Sequence, residues 1–142
     1  MSNWIKIDLD APILPSEAAA GIHIGDDISK LLAFATPDEA TKLTDFTIYR
    51  FGPVRVWSSF NRVTQIGVYG GYRGTLRDRI GIGSTIAEVK ALFGKEVQED
   101  DDDNLIVVDN AGWCFDTEEW RGNCTIEDNW SRQITEIYVF KS

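Results

Sequence analysis

A single histidine and two cysteines in 142 residues leave little of the usual material for nucleophilic or zinc chemistry. His23 stands between Ile22 and Ile24, so in a strand it points away from both, and no neighbour in sequence supplies the partner that proton transfer needs. Cys114 and Cys124 are too few for a disulfide framework and form no zinc pattern with one remote histidine; they read as reduced thiols. No apolar run approaches the roughly 18 residues of a membrane-spanning helix. Met1 to Asp10 alternates apolar and polar residues instead of leading a basic stretch into an apolar one. The expectation is a soluble, cytoplasmic protein without a membrane partner. Gly81-Ile82-Gly83 and Gly70-Gly71-Tyr72-Arg73-Gly74 make no dinucleotide or phosphate-loop fingerprint. Asp100-Asp101-Asp102-Asp103-Asn104 lacks the alternating ligands, central glycine and distal glutamate of a calcium loop. The reading is therefore no enzyme, no catalytic residue, no metal and no cofactor.

Basic charge is also scarce. The net charge is −9, and its placement is uneven: residues 1–70 carry 6 basic and 8 acidic side chains, residues 71–142 carry 8 and 15. Between Glu96 and Asp128, 12 acidic residues face Arg121 alone. Such a field repels nucleic acid and speeds encounter with a basic protein; its plainer reading is a solvated surface that confers solubility. The one basic cluster, Tyr72, Arg73, Arg77 and Arg79, is better read as pairing internally with the acidic segment than as a nucleic-acid platform.

What the chain has is an internal echo. Gly21 to Ala33 (GIHIGDDISKLLA) matches Arg79 to Ala91 (RIGIGSTIAEVKA) at an offset of 58, and Val63 to Tyr69 (VTQIGVY) matches Ile134 to Phe140 (ITEIYVF) at 71. The second copy is longer by about 13 residues, as the two offsets differ by that amount. Two copies of one supersecondary unit must share a core that neither completes alone. Each Ile-x-Ile-Gly segment leads into a helix start: Asp27 caps the first, while Thr85 and Glu88 have capping-box spacing. Gly94 is placed to end the second helix. Further short helical turns are expected at Glu17 to Ala20 and from Thr36-Pro37-Asp38-Glu39. Period-two alternation predicts strands at Trp4 to Leu9, Phe46 to Phe51, Val54 to Phe60 and Val63 to Tyr69. In the second copy it predicts Leu105 to Asp109, Trp113 to Thr117, Cys124 to Glu127 and Ile134 to Phe140. The expected fold class is α+β: a tandem duplication of a helix plus antiparallel strands, helices packed on an antiparallel sheet. One domain, 1–142, is expected from two repeats of about 1–70 and 71–142.

The string from Ile80 to Gly94 (IGIGSTIAEVKALFG), with strands after it and a second copy before it, resembles the repeat unit of β-lactamase inhibitor proteins. That resemblance implies a concave, aromatic-rich surface used to block another protein. The chain departs from the family in having no secretion signal, lipobox cysteine or paired disulfides, which argues against an extracellular inhibitor or a lipoprotein. In size, acidity and aromatic content it is also similar to the immunity proteins that protect bacteria from contact-dependent growth-inhibition and related polymorphic toxins.

The candidate binding surface is the acidic, tryptophan-rich stretch that the first copy lacks. Asp116, Glu118, Glu119, Glu127 and Asp128 would imitate substrate phosphates in the cleft of a basic toxin, such as a nuclease, while Trp120 and Trp130 anchor the contact. Trp113 and Phe115 alternate as inward core residues. Trp57 and Phe60 either flank the surface or join the core. The alternative function is a small-ligand module or enzyme using the cleft between repeats.

Overall fold

Period-two alternation builds most of this chain. The computed structural model describes residues 5–94, 97–100, 105–108, 112–119 and 130–141. Within them the order is β1 (Ala18–Ala19), β2 (Ile22–His23), α1 (Ile28–Leu32), β3 (Glu39–Lys42), β4 (Thr47–Phe51), β5 (Val54–Ser59) and β6 (Arg62–Val68). There follow α2 (Ile86–Phe93), β7 (Val97–Asp100), β8 (Leu105–Val108), β9 (Trp113–Thr117) and β10 (Ile134–Phe140). β1 and β2 pair with each other, and the remaining strands form one sheet in the order β3-β4-β5-β6-β10-β9-β8-β7. Every neighbouring pair in it is antiparallel.

The expected meander is present as β4, β5 and β6. Its second turn is Phe60-Asn61, both at positive φ (51° and 63°), with Arg62 already in β6. A two-residue hairpin loop with both residues left-handed matches the strand twist, at a backbone cost that a phenylalanine, unlike glycine, must bear. At the centre of the sheet β6 meets β10, with Val68 opposite Ile137, Gly67 opposite Tyr138 and Ile66 opposite Val139. This register puts Val54, Val56, Val63, Ile66, Val68, Ile134, Ile137 and Val139 into one fully buried cluster, joined by Trp113 and Phe115, whose rings stack at 5.4 Å.

The two glycine turns dock on the sheet in matching fashion. Gly25 (φ +91°) donates to the Val63 carbonyl at 2.8 Å and Ile28 to that of Asn61 at 2.9 Å. Gly83 (φ +94°) donates to Ile134 at 2.9 Å and Ile86 to Arg132 at 3.2 Å. Asp27 accepts from the Ser29 amide at 3.0 Å. Thr85 and Glu88 complete the capping box, each side chain accepting from the other's amide at 3.2 Å. Gly94 ends α2 with φ +62°.

The α+β expectation, helices layered on a sheet in a repeated unit, is overturned: the chain is mostly β. α1 has 5 residues and α2 has 8, and each buries two positions, Ile28 and Leu31 or Ile86 and Val89. The helical period is real but spans only one to two turns, so the alternating segments carry the core. Two further helical turns also fail. Glu17 to Ala20 enters the β1–β2 hairpin, turned by Ala20 and Gly21 at positive φ, and Glu39 opens the edge strand β3. Ile5, Ile7 and Leu9 pack against the core without joining either sheet, so the expected N-terminal strand is absent from residues 5–9. Cys124 to Glu127 lies outside the described residues.

Tyr72, read from sequence as part of a basic cluster, is a buried latch. Its hydroxyl accepts from the Ala20 amide at 2.9 Å and donates to the Ala11 carbonyl, tying the N-terminal segment to the β1–β2 hairpin. Arg73 pairs with Asp10 at 2.6 Å and Arg77 lies over the Phe93 ring, while most of the acidic segment expected to pair with this cluster lies outside the described residues. Tyr72→Phe leaves a buried amide without its acceptor, and should lower unfolding free energy by about 1–3 kcal/mol in urea titration. An unchanged midpoint would show that the latch contributes nothing.

Candidate functional site

With one face of the sheet packed inward, the alternate residues of the same strands form the other face. Cross-strand register places Ile48 beside Trp57, Trp57 beside Gln65 and Gln65 beside Phe140. The adjacent row runs Glu39, Arg50, Arg55, Gly67, Tyr138, Cys114. Gly67 is the point at which two large rings meet bare backbone: Trp57 and Tyr138 lie edge to face at 5.9 Å. Tyr69 adds a second edge-to-face contact with Tyr138 at 6.1 Å and carries the Arg55 guanidinium over its ring at 4.8 Å. These aromatics are half-buried by one another. They form a cluster of rigid amphipathic side chains of the type enriched at protein interfaces.

Charge is arranged unusually on this face. Arg50 lies directly opposite Arg55, and on the other side of the aromatics Glu136 lies directly opposite Asp116. Like charges at such positions destabilise a sheet. Tyr138 donates its hydroxyl proton to Glu136. Burial, and then that bond, hold its phenol well above the usual range. Burial likewise raises Tyr69, partly offset by the neighbouring Tyr138 hydroxyl and Arg55 guanidinium. The Cys114 thiol is pushed up to about 11, chiefly by burial and then by Asp116, so it is a protonated packing residue rather than a nucleophile.

The residues expected from sequence divide between this face and its end. Asp116 is half-buried on it and accepts from the Thr117 amide at 2.8 Å. Glu118 is exposed but partly structural: its carboxylate accepts from the Gln133 amide at 3.0 Å, and its carbonyl from buried Arg132 at 3.2 Å. Glu119 is exposed. Trp130 is half-buried against the core with Lys90 Nζ 4.8 Å over its ring, a packed position rather than a projecting anchor. Trp120, Glu127 and Asp128 lie outside the described residues. Of the two residues left open between surface and core, Trp57 is half-buried on the face opposite the core. Phe60 is 97% exposed at a hairpin tip. Tyr138, Tyr69, Arg50, Arg55 and Glu136 were missed. The available signal was alternation: Arg55 stands between Val54 and Val56, Tyr138 between Ile137 and Val139, and Arg50 and Glu136 take alternate positions in β4 and β10.

Elsewhere, a cleft of about 480 Å³ is lined by Glu17, His23, Thr64 and Lys141 among others. The His23 ring makes no hydrogen bond among the described residues, and its amide donates to Asp26 at 2.8 Å. Among the described residues no group of three potential ligands could hold a metal ion, and no helix is long and apolar enough to cross a membrane. No protein-family model matches the chain, and no curated protein or solved structure matches it significantly.

A methyl group at Gly67 would lie 3.1 Å from both Trp57 and Tyr138. Gly67→Ala should therefore cost about 1–3 kcal/mol through overpacking and alter the near-ultraviolet circular dichroism of the displaced rings. Unchanged stability and spectrum would mean that the rings do not meet over this backbone.

Proposed function

We propose that the chain is a protein-binding inhibitor that engages its target with the uncovered face of the sheet, in particular an immunity protein that occludes the cleft of a basic toxin. The observation that carries this reading is the Trp57–Tyr138–Tyr69 cluster on the face of the sheet opposite the core. Aromatic anchors supply most of the binding energy in protein interfaces, and Asp116, Glu136 and exposed Glu119 stand on or beside this face to meet lysine or arginine. The net charge of −9 disfavours nucleic acid as the ligand and favours a basic partner such as a nuclease domain. No catalytic constellation is part of the proposal. Inhibition is by coverage: the face excludes substrate while the acidic field speeds encounter. The cytoplasm is the compartment in which such a toxin would be met.

The test is co-expression with any secreted toxin domain that a neighbouring gene is found to encode, followed by binding kinetics over a salt series with an inactive form of that domain. The wild-type chain should restore growth. Trp57→Ala or Tyr138→Ala should speed dissociation by about 2 kcal/mol, roughly 30-fold, while reversing charge at Glu119 should mainly slow association at low salt. Protection without any effect of Trp57→Ala and Tyr138→Ala would move the interface elsewhere; absence of protection would contradict the immunity reading.

A further inference from the structure

The basic half of the uncovered face has its own chemistry. In a chain with 23 carboxylates and 14 lysines and arginines, Arg50 and Arg55 stand directly across from each other on β4 and β5. Residues so paired have Cβ atoms about 5 Å apart, and two cations there repel. Neither forms an ion pair among the described residues, although Glu39 is the cross-strand neighbour of Arg50 on its outer side. A row of one carboxylate and two guanidinium groups therefore leaves one positive charge uncompensated. Glu39, Thr41, Ile48, Arg50 and Arg55 also enclose a small hollow of about 150 Å³. The Arg55 guanidinium lies over the Tyr69 ring at 4.8 Å, a contact that favours this orientation.

We infer that this hollow is a subsite for one carboxylate of the bound protein, an aspartate or glutamate side chain gripped between Arg50 and Arg55. The inference rests on the uncovered-face reading for the identity of its partner and adds the charge pattern that partner must show. Two planar guanidinium groups across a strand pair can each offer parallel N–H donors to a carboxylate, which accepts two such forks. Occupation converts a repulsive pair into a bridged one, so the free protein is set up to gain from the contact. Thr41 and Ile48 complete a wall suited to a side chain's methylene stem. A nucleic-acid phosphate is disfavoured, since it would bring a polyanion toward a chain of net charge −9. The uncovered face is thus dipolar: carboxylates Glu136 and Asp116 on one side of the aromatics await a basic group, and Arg50 and Arg55 on the other await an acid. A basic cleft with a carboxylate among its cations presents that complement.

The experiment needs no partner and uses the whole chain. The 15N-labelled protein is titrated with N-acetyl-glutamate-N-methylamide, a single side-chain carboxylate on a neutral backbone, and the arginine Nε–Hε resonances are followed. Arg50 and Arg55 should shift together and saturate in the millimolar range. Arg77, which lies over a phenylalanine ring at the same 4.8 Å but has no arginine opposite, serves as the matched control and should not move. Arg50→Gln should weaken the response of Arg55 about tenfold or more, as expected on losing a charged hydrogen-bond donor. A linear, unsaturating drift of all exposed arginines would overturn the subsite. So would inorganic phosphate binding the same pair more tightly than the carboxylate probe. Either result leaves the aromatic interface standing, because toxin protection and the Trp57 and Tyr138 variants are measured separately.

Discussion

The antiparallel register between β6 and β10 is the constraint on which the rest of this structure depends. These two strands, far apart in sequence, are the only junction between β3-β4-β5-β6 and β10-β9-β8-β7 in the sheet. Setting Val68 against Ile137 and Ile66 against Val139 places both pairs in the core, and the same register sets Gly67 against Tyr138 on the opposite face. A slip by one residue would exchange those faces, exposing Ile137 and Val139 and burying Tyr138 and Glu136. Burial of the aliphatic set therefore selects the arrangement, since each fully buried aliphatic side chain contributes about 1.5–3 kcal/mol relative to exposure. The aromatic cluster is a consequence of that selection. Tyr138 has room to lean on Trp57 because a glycine, with no side chain of its own, occupies the row between Arg55 and Tyr138.

The two faces answer to different demands. On the inner face β4, β5, β6, β9 and β10 contribute aliphatic or aromatic side chains, and α1 and α2 add two buried residues each. On the outer face two choices work against the stability of the free protein: arginine across from arginine and glutamate across from aspartate. Each is a local cost that a bound protein of opposite charge would relieve, and both flank the same aromatic rings. Local rules are most often broken at sites of function, where the gain is realised elsewhere. The exposed acidic residues at the end of β9 are compatible with this picture as steering charges, whereas Glu118 also supports the β9–β10 junction through Gln133 and Arg132.

Much of the strand content was legible in the sequence, because alternation in Thr47–Phe51, Val54–Ser59, Arg62–Val68 and Ile134–Phe140 is a local signal. The helix caps at Asp27 and Thr85 were legible for the same reason. The balance between helix and strand was not legible: a good cap marks where a helix starts, but whether it runs one turn or four is decided by packing. The echo of Val63–Tyr69 in Ile134–Phe140 was visible, but not that the two segments lie side by side. That contact joins residues about 70 apart, and no local pattern encodes it. Without it Tyr138 has no visible neighbours in the sequence. The packing of Trp130, half-buried against the core with Lys90 over its ring, is likewise a long-range contact that its charged sequence neighbours do not signal.

Hydroxyl-radical footprinting of the free chain, read residue by residue by mass spectrometry, tests most directly whether one register divides core from uncovered face in this way. Trp57, Tyr138 and Phe140 should be oxidised readily in the native protein, while fully buried Trp113 and Phe115 should react only after unfolding. Oxidation of Trp113 and Phe115 in the native state, with Trp57 and Tyr138 protected, would mean that the sheet presents its other side, and the aromatic face could not be the surface that meets a partner.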